Sequence, residues 1–291
     1  MKSRDMVVYS ALALIWGLSF LVLMKAVYAF GWVGAVAFRA LIASLTLYAL
    51  ARLMRRKLDF SLGWKPLLVV GATTVAGQLI GLSIAGPLIG TAMSAILVAT
   101  IPLFSMMISA VWGLERINAS RLAGLGLGIG GVVLLVGFPA VPVTPAFLGG
   151  CAAALLGSFS AAFGSNYASR WLSRAGAWEV TIGAFFFGGA MTLPLLVVVP
   201  VPTVPVLADY LWLAGLACGM SALTYVMYFG LVAAIGATRA ISVEFAVTTV
   251  AVVIGALVLN EPFGPLQAFG AAIIVAGCAL VLGLVRLPER T

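Results

Sequence analysis

The chain has 291 residues, of which 64% are hydrophobic and only 8% are charged, and its formal net charge is +8. This balance excludes a soluble globular domain, in which about 25% of residues are charged. The absence of histidine excludes histidine-based catalysis, histidine metal sites and histidine proton relays. The three cysteines are far apart and form no CxxC motif, so we interpret them as small buried residues and expect no metal and no cofactor.

Apolar runs of about 20 residues recur along the chain, which predicts an all-α integral membrane protein with about ten transmembrane helices. The predicted helices cover residues 6–30, 32–52, 65–85, 90–112, 118–137, 146–170, 177–199, 209–230, 237–259 and 265–285. The first helix is too long for a signal peptide and is interpreted as an uncleaved span. The Gly86-Pro87 dipeptide is predicted to end the third helix, and a proline-rich stretch at 138–145 separates two halves.

The second half of the chain repeats the first. Residues 90–137 align with residues 236–283 at a constant offset of 146, which pairs Gly90 with Gly236 and Glu115 with Glu261. If each half holds five helices, the second half is inserted upside down, as in transporters that alternate their access around a central site. We therefore predict two inverted five-helix repeats, at residues 1–140 and 146–291, around a central cavity.

The basic residues predict the orientation in the membrane. With the N-terminus inside, 14 of the 16 Lys and Arg residues fall on the inner side, leaving only Lys25 and Arg39 toward the outside. Both termini are therefore predicted to be cytoplasmic, in the cell inner membrane. The same bias explains the net charge of +8, so nucleic acid is not expected as a partner. The partners expected are the lipid bilayer and a small-molecule substrate, while the oligomeric state, including a monomer, stays open.

Two motifs have structural interpretations. Residues 126–131 match the pattern GxGxxG, but they lie inside an apolar span without a preceding strand, so close helix packing is favoured over dinucleotide binding. Glu115 is predicted to lie inside and Glu261 outside. Each precedes the last helix of its half, where a carboxylate stabilises the helix N-terminus, and a gating role is the alternative.

Glu244 is the one acid predicted to lie deep in a span, seven residues into the ninth helix and about 10 Å along it. Its repeat partner is Val98, so the repeat does not require an acid here. An intramembrane acid is costly unless it is paired, protonated or in a wet cavity. A role in binding substrate or moving protons and a structural ion pair with a basic residue such as Arg39 or Lys25 therefore both stay open.

Other polar and aromatic residues in the spans are candidates for the cavity. Gln78 is the stronger one, because its amide has four hydrogen-bonding sites to satisfy in lipid. Tyr225 lies on a polar face of the eighth helix, and Trp16 shares a face of the first helix with Ser19. For a single serine in a membrane helix, a hydrogen bond between helices is the alternative to ligand contact.

The segments YSALALIWGLSFLVLMKAV and AFRALIASLTLYAL resemble the first two spans of the drug/metabolite transporter superfamily, EamA family. The paired Glu115 and Glu261 are the most specific part of this resemblance, which covers nearly the whole chain. The chain looks most like YddG-type exporters of amino acids. The resemblance implies a cavity lined by the third, fourth, eighth and ninth helices, with the first and sixth alongside. It carries substrate contact onto Gln78, Tyr225 and Glu244, and also onto Trp16 and Phe163.

These observations predict a secondary transporter that exports amino acids, especially aromatic or other amphipathic ones, and related metabolites by alternating access. The sequence contains no P-loop for ATP, and the protein is not expected to be an enzyme. A passive channel would need rings of charge or filter loops, and a lipid-modifying enzyme would need paired carboxylates, histidine or a metal site. Both remain alternatives, although the sequence lacks their marks.

Overall fold

A computed structural model describes residues 3–113, 118–137, 142–202, 204–235, 240–241, 243–261 and 264–281. The described residues are almost entirely helical and contain no strand. The protein is an all-α membrane protein, as the composition predicts. We number the helices α1 to α10 so that each corresponds to one predicted span.

The first four helices come from two long helical runs that break at glycine. Ser3–Leu53 breaks at Gly31 (φ 70°, ψ 169°), which separates α1 (residues 3–30) from α2 (residues 32–53). Residues 64–98 break at Gly90 (φ 79°, ψ 169°), which separates α3 (residues 64–89) from α4 (residues 91–111). The prediction that α3 ends at Gly86-Pro87 is wrong. The break needs a positive φ, which glycine adopts readily, whereas the proline ring holds φ near −65°.

The remaining helices follow the predicted spans closely. They are α5 (Ala119–Gly137), α6 (Pro145–Trp171), α7 (Ala177–Thr192, extended by a 3₁₀ turn over Leu193–Val197), α8 (Leu207–Ile235), α9 (Val243–Leu257) and α10 (Pro265–Val281). The Thr144 hydroxyl caps α6 by accepting a hydrogen bond from the Phe147 amide at 3.1 Å. The predicted start of the ninth span at 237 and the end of the tenth at 285 lie outside the described residues.

The lengths and composition of these helices suit a bilayer. Within the described part of the chain, five helical runs are long and apolar enough to cross one. They are Asp5–Leu53, Trp64–Val98, Pro145–Trp171, Ala177–Val197 and Leu207–Ile235. Shorter apolar helices, including Ile101–Val111 and Val243–Leu257, complete the bundle. Because Asp5–Leu53 breaks at Gly31, that run supplies two spans rather than one.

Repeat-equivalent helices pack side by side in opposite directions. At one end of the α4–α9 contact, a Cβ on Gly255 would lie 3.1 Å from Ala92. One turn further along α4, the Thr248 hydroxyl donates to the Ala95 carbonyl at 2.9 Å. Residue numbers rise along α4 as they fall along α9, so the two helices are antiparallel. This is the arrangement that an inverted repeat requires.

The contact between α5 and α10 has the same antiparallel geometry and is built from glycines. A Cβ on Gly131 would lie 2.9 Å from the Gly270 carbonyl oxygen, and one on Gly277 would lie 2.6 Å from the Gly124 carbonyl oxygen. Such close backbone approach is possible only where side chains are absent. This part of the GxGxxG segment therefore serves helix packing, as the sequence predicts.

The other contacts are exchanged between the halves. Helix α3 packs antiparallel on α6, and its equivalent α8 packs antiparallel on α1. In the first pair Gly81 meets Gly157, and in the second the Trp16 indole N–H donates to the Thr224 hydroxyl at 2.8 Å. A pseudo-two-fold axis therefore relates the five helices of one half to those of the other.

Candidate functional site

A cavity lies where α1, α2, α3, α4, α8 and α9 meet. Its polar and aromatic lining includes Trp16, Ser19, Arg39, Gln78, Tyr225 and Glu244. Five of the six residues predicted from the sequence as substrate contacts are therefore brought together around one space. The exception is Phe163, and Arg39 and Phe20 line the cavity in addition.

The cavity straddles the pseudo-two-fold axis. Leu79 and Tyr225 are repeat partners at the offset of 146, as are Val98 and Glu244, and all four line the cavity. In both pairs the first half supplies the apolar side chain and the second half supplies the polar one. The backbone symmetry thus places equivalent positions around the same space, but the two halves contribute different chemistry.

An aromatic cluster around Trp16 supplies part of the cavity wall, with Trp16 and Tyr225 in the lining. The ring centroid of Trp16 lies 5.2 Å from that of Tyr225 and 5.2 Å from that of Tyr228. The indole N–H is held by Thr224, which fixes the orientation of the ring. The Ser19 hydroxyl donates to the Trp16 carbonyl at 2.7 Å. That bond is within one helix, so Ser19 lines the cavity but its donor is already used.

Arg39 enters the cavity from α2. The side chain is 4% exposed, and its Nε donates to the Ser221 hydroxyl at 2.6 Å. Ser221 in turn donates to the Leu216 carbonyl at 2.6 Å. From the sequence, Arg39 is interpreted as a basic residue on the outer side and as a candidate ion-pair partner of Glu244, but not as a substrate contact. The signal that identifies it is an arginine seven residues inside a predicted span, because intramembrane charges usually serve a function.

Glu244 enters from α9 and is 6% exposed. Its backbone carbonyl accepts a hydrogen bond from the Thr248 hydroxyl at 2.7 Å, but its carboxylate has no hydrogen-bond partner among the described residues. Arg39 and Glu244 do not form an ion pair with each other, so the structural ion pair with Arg39 is not observed. Lys25 is exposed and does not line the cavity.

Two π-helical segments lead into the cavity. They are Gly71–Gly77 in α3 and Gly215–Leu223 in α8, and the offset of 146 places the first segment on residues 217–223 of the second. Gln78 follows the first segment directly, and Tyr225 lies two residues after the second. A π turn rotates the residues that follow it relative to a regular α-helix, and such turns often occur at functional sites. These segments are not predicted from the sequence, although both are rich in glycine and alanine.

Phe163 lies elsewhere on α6. Its ring packs edge-on against Trp112 with centroids 5.4 Å apart, and it stacks with Tyr167 at 6.3 Å. Arg170 lies over the ring of the neighbouring Trp171, with 4.7 Å from Cζ to the ring centroid. This aromatic cluster is separate from the cavity lining, so the structure does not bring Phe163 together with the other candidates.

Glu261 caps a different helix from the one predicted. Its carboxylate accepts hydrogen bonds from the amides of Thr91 (2.6 Å) and Ala92 (2.7 Å), at the N-terminus of α4. The prediction that it would cap the following helix, α10, is not met. The antiparallel packing of α9 on α4 brings Glu261 to the α4 N-terminus, where the break at Gly90 leaves amides free. Glu115 lies outside the described residues.

The chain matches known proteins along both halves. The EamA-like transporter family matches residues 6–137 and 148–283. The chain belongs to this family. The family membership agrees with the resemblance read from the first two spans, and it points to a transporter rather than an enzyme. Among the described residues, no three His, Cys, Asp or Glu side chains are grouped to hold a metal ion.

Individual relatives are more distant. The chain is 26% identical over 199 residues to the "Uncharacterized inner membrane transporter YedA" of Escherichia coli (strain K12), and it matches the proteins of that name from strains O6:H1 and O157:H7 equally. The match covers 68% of this chain and 64% of these relatives' length. A solved structure titled "Crystal structure of protein" has a TM-score of 0.71 at 19% identity, covering 98% of this chain and 99% of that one. At that identity the likeness concerns the fold alone.

Proposed function

We propose that the protein is a secondary transporter of the cell inner membrane that exports amino acids, chiefly aromatic or other amphipathic ones, and related metabolites. The observation that carries this proposal is the cavity on the pseudo-two-fold axis, where aromatic rings and a few polar groups surround one space. Sites for small amphipathic ligands are mostly apolar with a small number of placed polar groups. Sugar phosphates would need several buried cations, whereas Arg39 is the one cation lining this cavity within the described residues.

Alternating access is the mechanism that the architecture supports. A site between two inverted repeats can be exposed to either side when one half rocks against the other. Tight antiparallel contacts such as α4–α9 run through the region between the halves, where such a motion would have to break and re-form bonds. The positive-inside distribution supports cytoplasmic termini, so that the α4 N-terminus and Glu261 would lie on the outer side.

Counterflow in liposomes tests the transport proposal. Purified protein reconstituted with unlabelled amino acid inside should accumulate labelled amino acid from outside and should saturate, because a carrier exchanges one bound solute for another. A passive pore would give neither accumulation nor saturation, and that outcome would contradict alternating access. An amino-acid panel should rank aromatic members above small polar ones if the aromatic wall selects them.

Two substitutions test the cavity as the binding site. Tyr225→Ala and Gln78→Ala should each raise the KM of counterflow about 10-fold, because each removes a contact of the order of one aromatic pair or hydrogen bond. Tyr48→Ala is the matched control, since Tyr48 is a tyrosine 45% exposed on the outside of α2. Equal KM values for all three variants and the unchanged protein would contradict this site, provided that protein yield is the same.

A further inference from the structure

We infer that the cavity recognises a zwitterionic head group, with Arg39 binding the carboxylate and Glu244 binding the ammonium group of one substrate molecule. This inference rests on the proposed function and adds to it the chemical feature that every good substrate must carry. It also assigns a substrate-binding role to Arg39.

Both side chains are buried, yet neither charged end has a partner among the residues that the structure describes. Arg39 uses only its Nε, toward Ser221, and the other guanidinium nitrogens have no partner among the described residues. The Glu244 carboxylate likewise has none. Arg39 is 4% exposed and Glu244 is 6% exposed. A buried charge without a partner is costly, so such charges usually face a ligand or each other.

The two charges face the same space without meeting. Both side chains line the cavity, one from α2 and the other from α9. Tyr225 lines the cavity together with both of them, and no guanidinium nitrogen of Arg39 lies within 4.0 Å of a carboxylate oxygen of Glu244. Because both groups line one cavity, a ligand that carries a negative and a positive charge would satisfy both at once.

This arrangement discriminates between chemical classes. A zwitterion places its carboxylate on a guanidinium, which binds carboxylates through paired hydrogen bonds, and its ammonium on a carboxylate. An amine without a carboxylate would leave Arg39 buried and unpaired, and a carboxylic acid without an amine would do the same to Glu244. Sites built around buried polar groups reject analogues that leave those groups unpaired.

The apolar part of the cavity lining offers a contact surface for the side chain of the substrate. Trp16 and Phe20 of α1 line the cavity together with Leu82 of α3. A side chain that leaves the zwitterionic centre can lie against these residues, which explains how an apolar substituent would add affinity without a further charge. The head group thus sets the class of substrate, and the wall sets the preference within it.

A competition experiment on the unaltered protein tests the inference first. Counterflow of labelled L-phenylalanine is measured in proteoliposomes with three unlabelled competitors of the same ring and chain length. These are L-phenylalanine, L-phenylalaninamide, which lacks the carboxylate, and 3-phenylpropionate, which lacks the amine. We expect the two analogues to need about 10- to 100-fold higher concentrations than L-phenylalanine for half inhibition, as expected for the loss of a hydrogen-bonded charge.

Variants then test which residue binds the carboxylate of the substrate and which binds its ammonium group. Arg39→Gln should weaken the inhibition by L-phenylalanine about 10- to 100-fold, so that L-phenylalaninamide competes as well as L-phenylalanine. Glu244→Gln should make 3-phenylpropionate compete as well as L-phenylalanine. A residue with a purely structural role would weaken all three competitors together. Lys25→Gln is the control, because Lys25 is a basic residue exposed on α1 and outside the cavity. Arg39→Lys keeps the charge and should retain the order of the competitors.

The outcomes separate this inference from the proposed function. Saturable counterflow in which the amide and 3-phenylpropionate compete as well as L-phenylalanine would overturn the zwitterion inference and leave transport intact. If the Gln variants do not yield folded protein, the competition on the unaltered protein still decides. Counterflow absent for every amino acid would overturn the proposed function, and the inference would fall with it.

Discussion

The α3–α6 pair and the α1–α8 pair occupy equivalent places in the two halves, but they are built from opposite kinds of residue. In α3–α6 the helices meet through glycines, and a Cβ on Gly81 would lie 2.5 Å from the Ala153 carbonyl oxygen. In α1–α8 the helices meet through Trp16, Thr224 and Tyr225. Glycine contacts let backbones approach closely and leave no space, whereas large rings and hydroxyls hold the helices apart around a cavity.

A symmetric backbone therefore does not produce two symmetric sites in this protein. The pseudo-two-fold axis brings Leu79 and Tyr225 to the same cavity, yet only the side chain of Tyr225 can form hydrogen bonds. The cavity therefore draws its aromatic wall from α1 and α8, while α3–α6 has the features of a fixed contact. Three experiments test whether the two helix pairs are equivalent in position and different in packing.

The first experiment, with the largest expected effect, tests whether the two halves of the chain are inverted in the membrane. In a variant with Cys151, Cys218 and Cys278 replaced by alanine, single cysteines are introduced at Ser61 and Val204, which are exposed and lie in equivalent loops of the two halves. An impermeant thiol reagent outside intact cells should label position 204 fully and position 61 not at all. Labelling of both positions from the same side would mean that the halves are not inverted, and the two helix pairs would no longer be equivalent.

The second experiment, with a smaller expected effect, tests the close packing of α3 on α6. Gly81→Ala inserts a methyl group against backbone atoms that cannot move away, so it should lower the free energy of unfolding by about 1–3 kcal/mol. The matched control is Gly219→Ala on α8, where an added Cβ would meet nothing within 4 Å. Thermal unfolding in detergent is the measurement. A Gly81→Ala protein as stable as the control would mean that this contact is not tightly packed.

The third experiment, with the smallest expected effect, tests the hydrogen bond between α1 and α8. Trp16→Phe keeps a ring in the aromatic wall but removes the indole donor to Thr224, so it should cost about 1 kcal/mol of stability. A double-mutant cycle with Thr224→Val isolates the coupling between the two side chains, since each single change also affects other contacts. Trp212→Phe, at a tryptophan 47% exposed on α8, is the control. Additive effects in the cycle would show that the bond does not hold the two helices together.

The sequence predicted the class of the protein and most of the cavity. Hydropathy and the lengths of apolar runs determine membrane helices locally, because each helix must satisfy its own backbone hydrogen bonds in lipid. The offset of 146 predicted inverted halves, and rare polar residues in apolar spans pointed to Gln78, Tyr225 and Glu244. These signals are visible in one dimension because polar groups within lipid are costly wherever they occur.

Which of these residues meet, and through which contacts, depends on the packing of helices that are distant in sequence. This packing excluded Phe163 from the cavity, added Arg39, and gave Glu261 the amides of α4 instead of those of α10. Each of these results depends on how far one helix is rotated about its axis and which distant helix lies beside it. Ser221, the partner of Arg39, is 182 residues away along the chain. Local periodicity cannot encode such a contact, because antiparallel packing and the two π segments set the rotation of each helix.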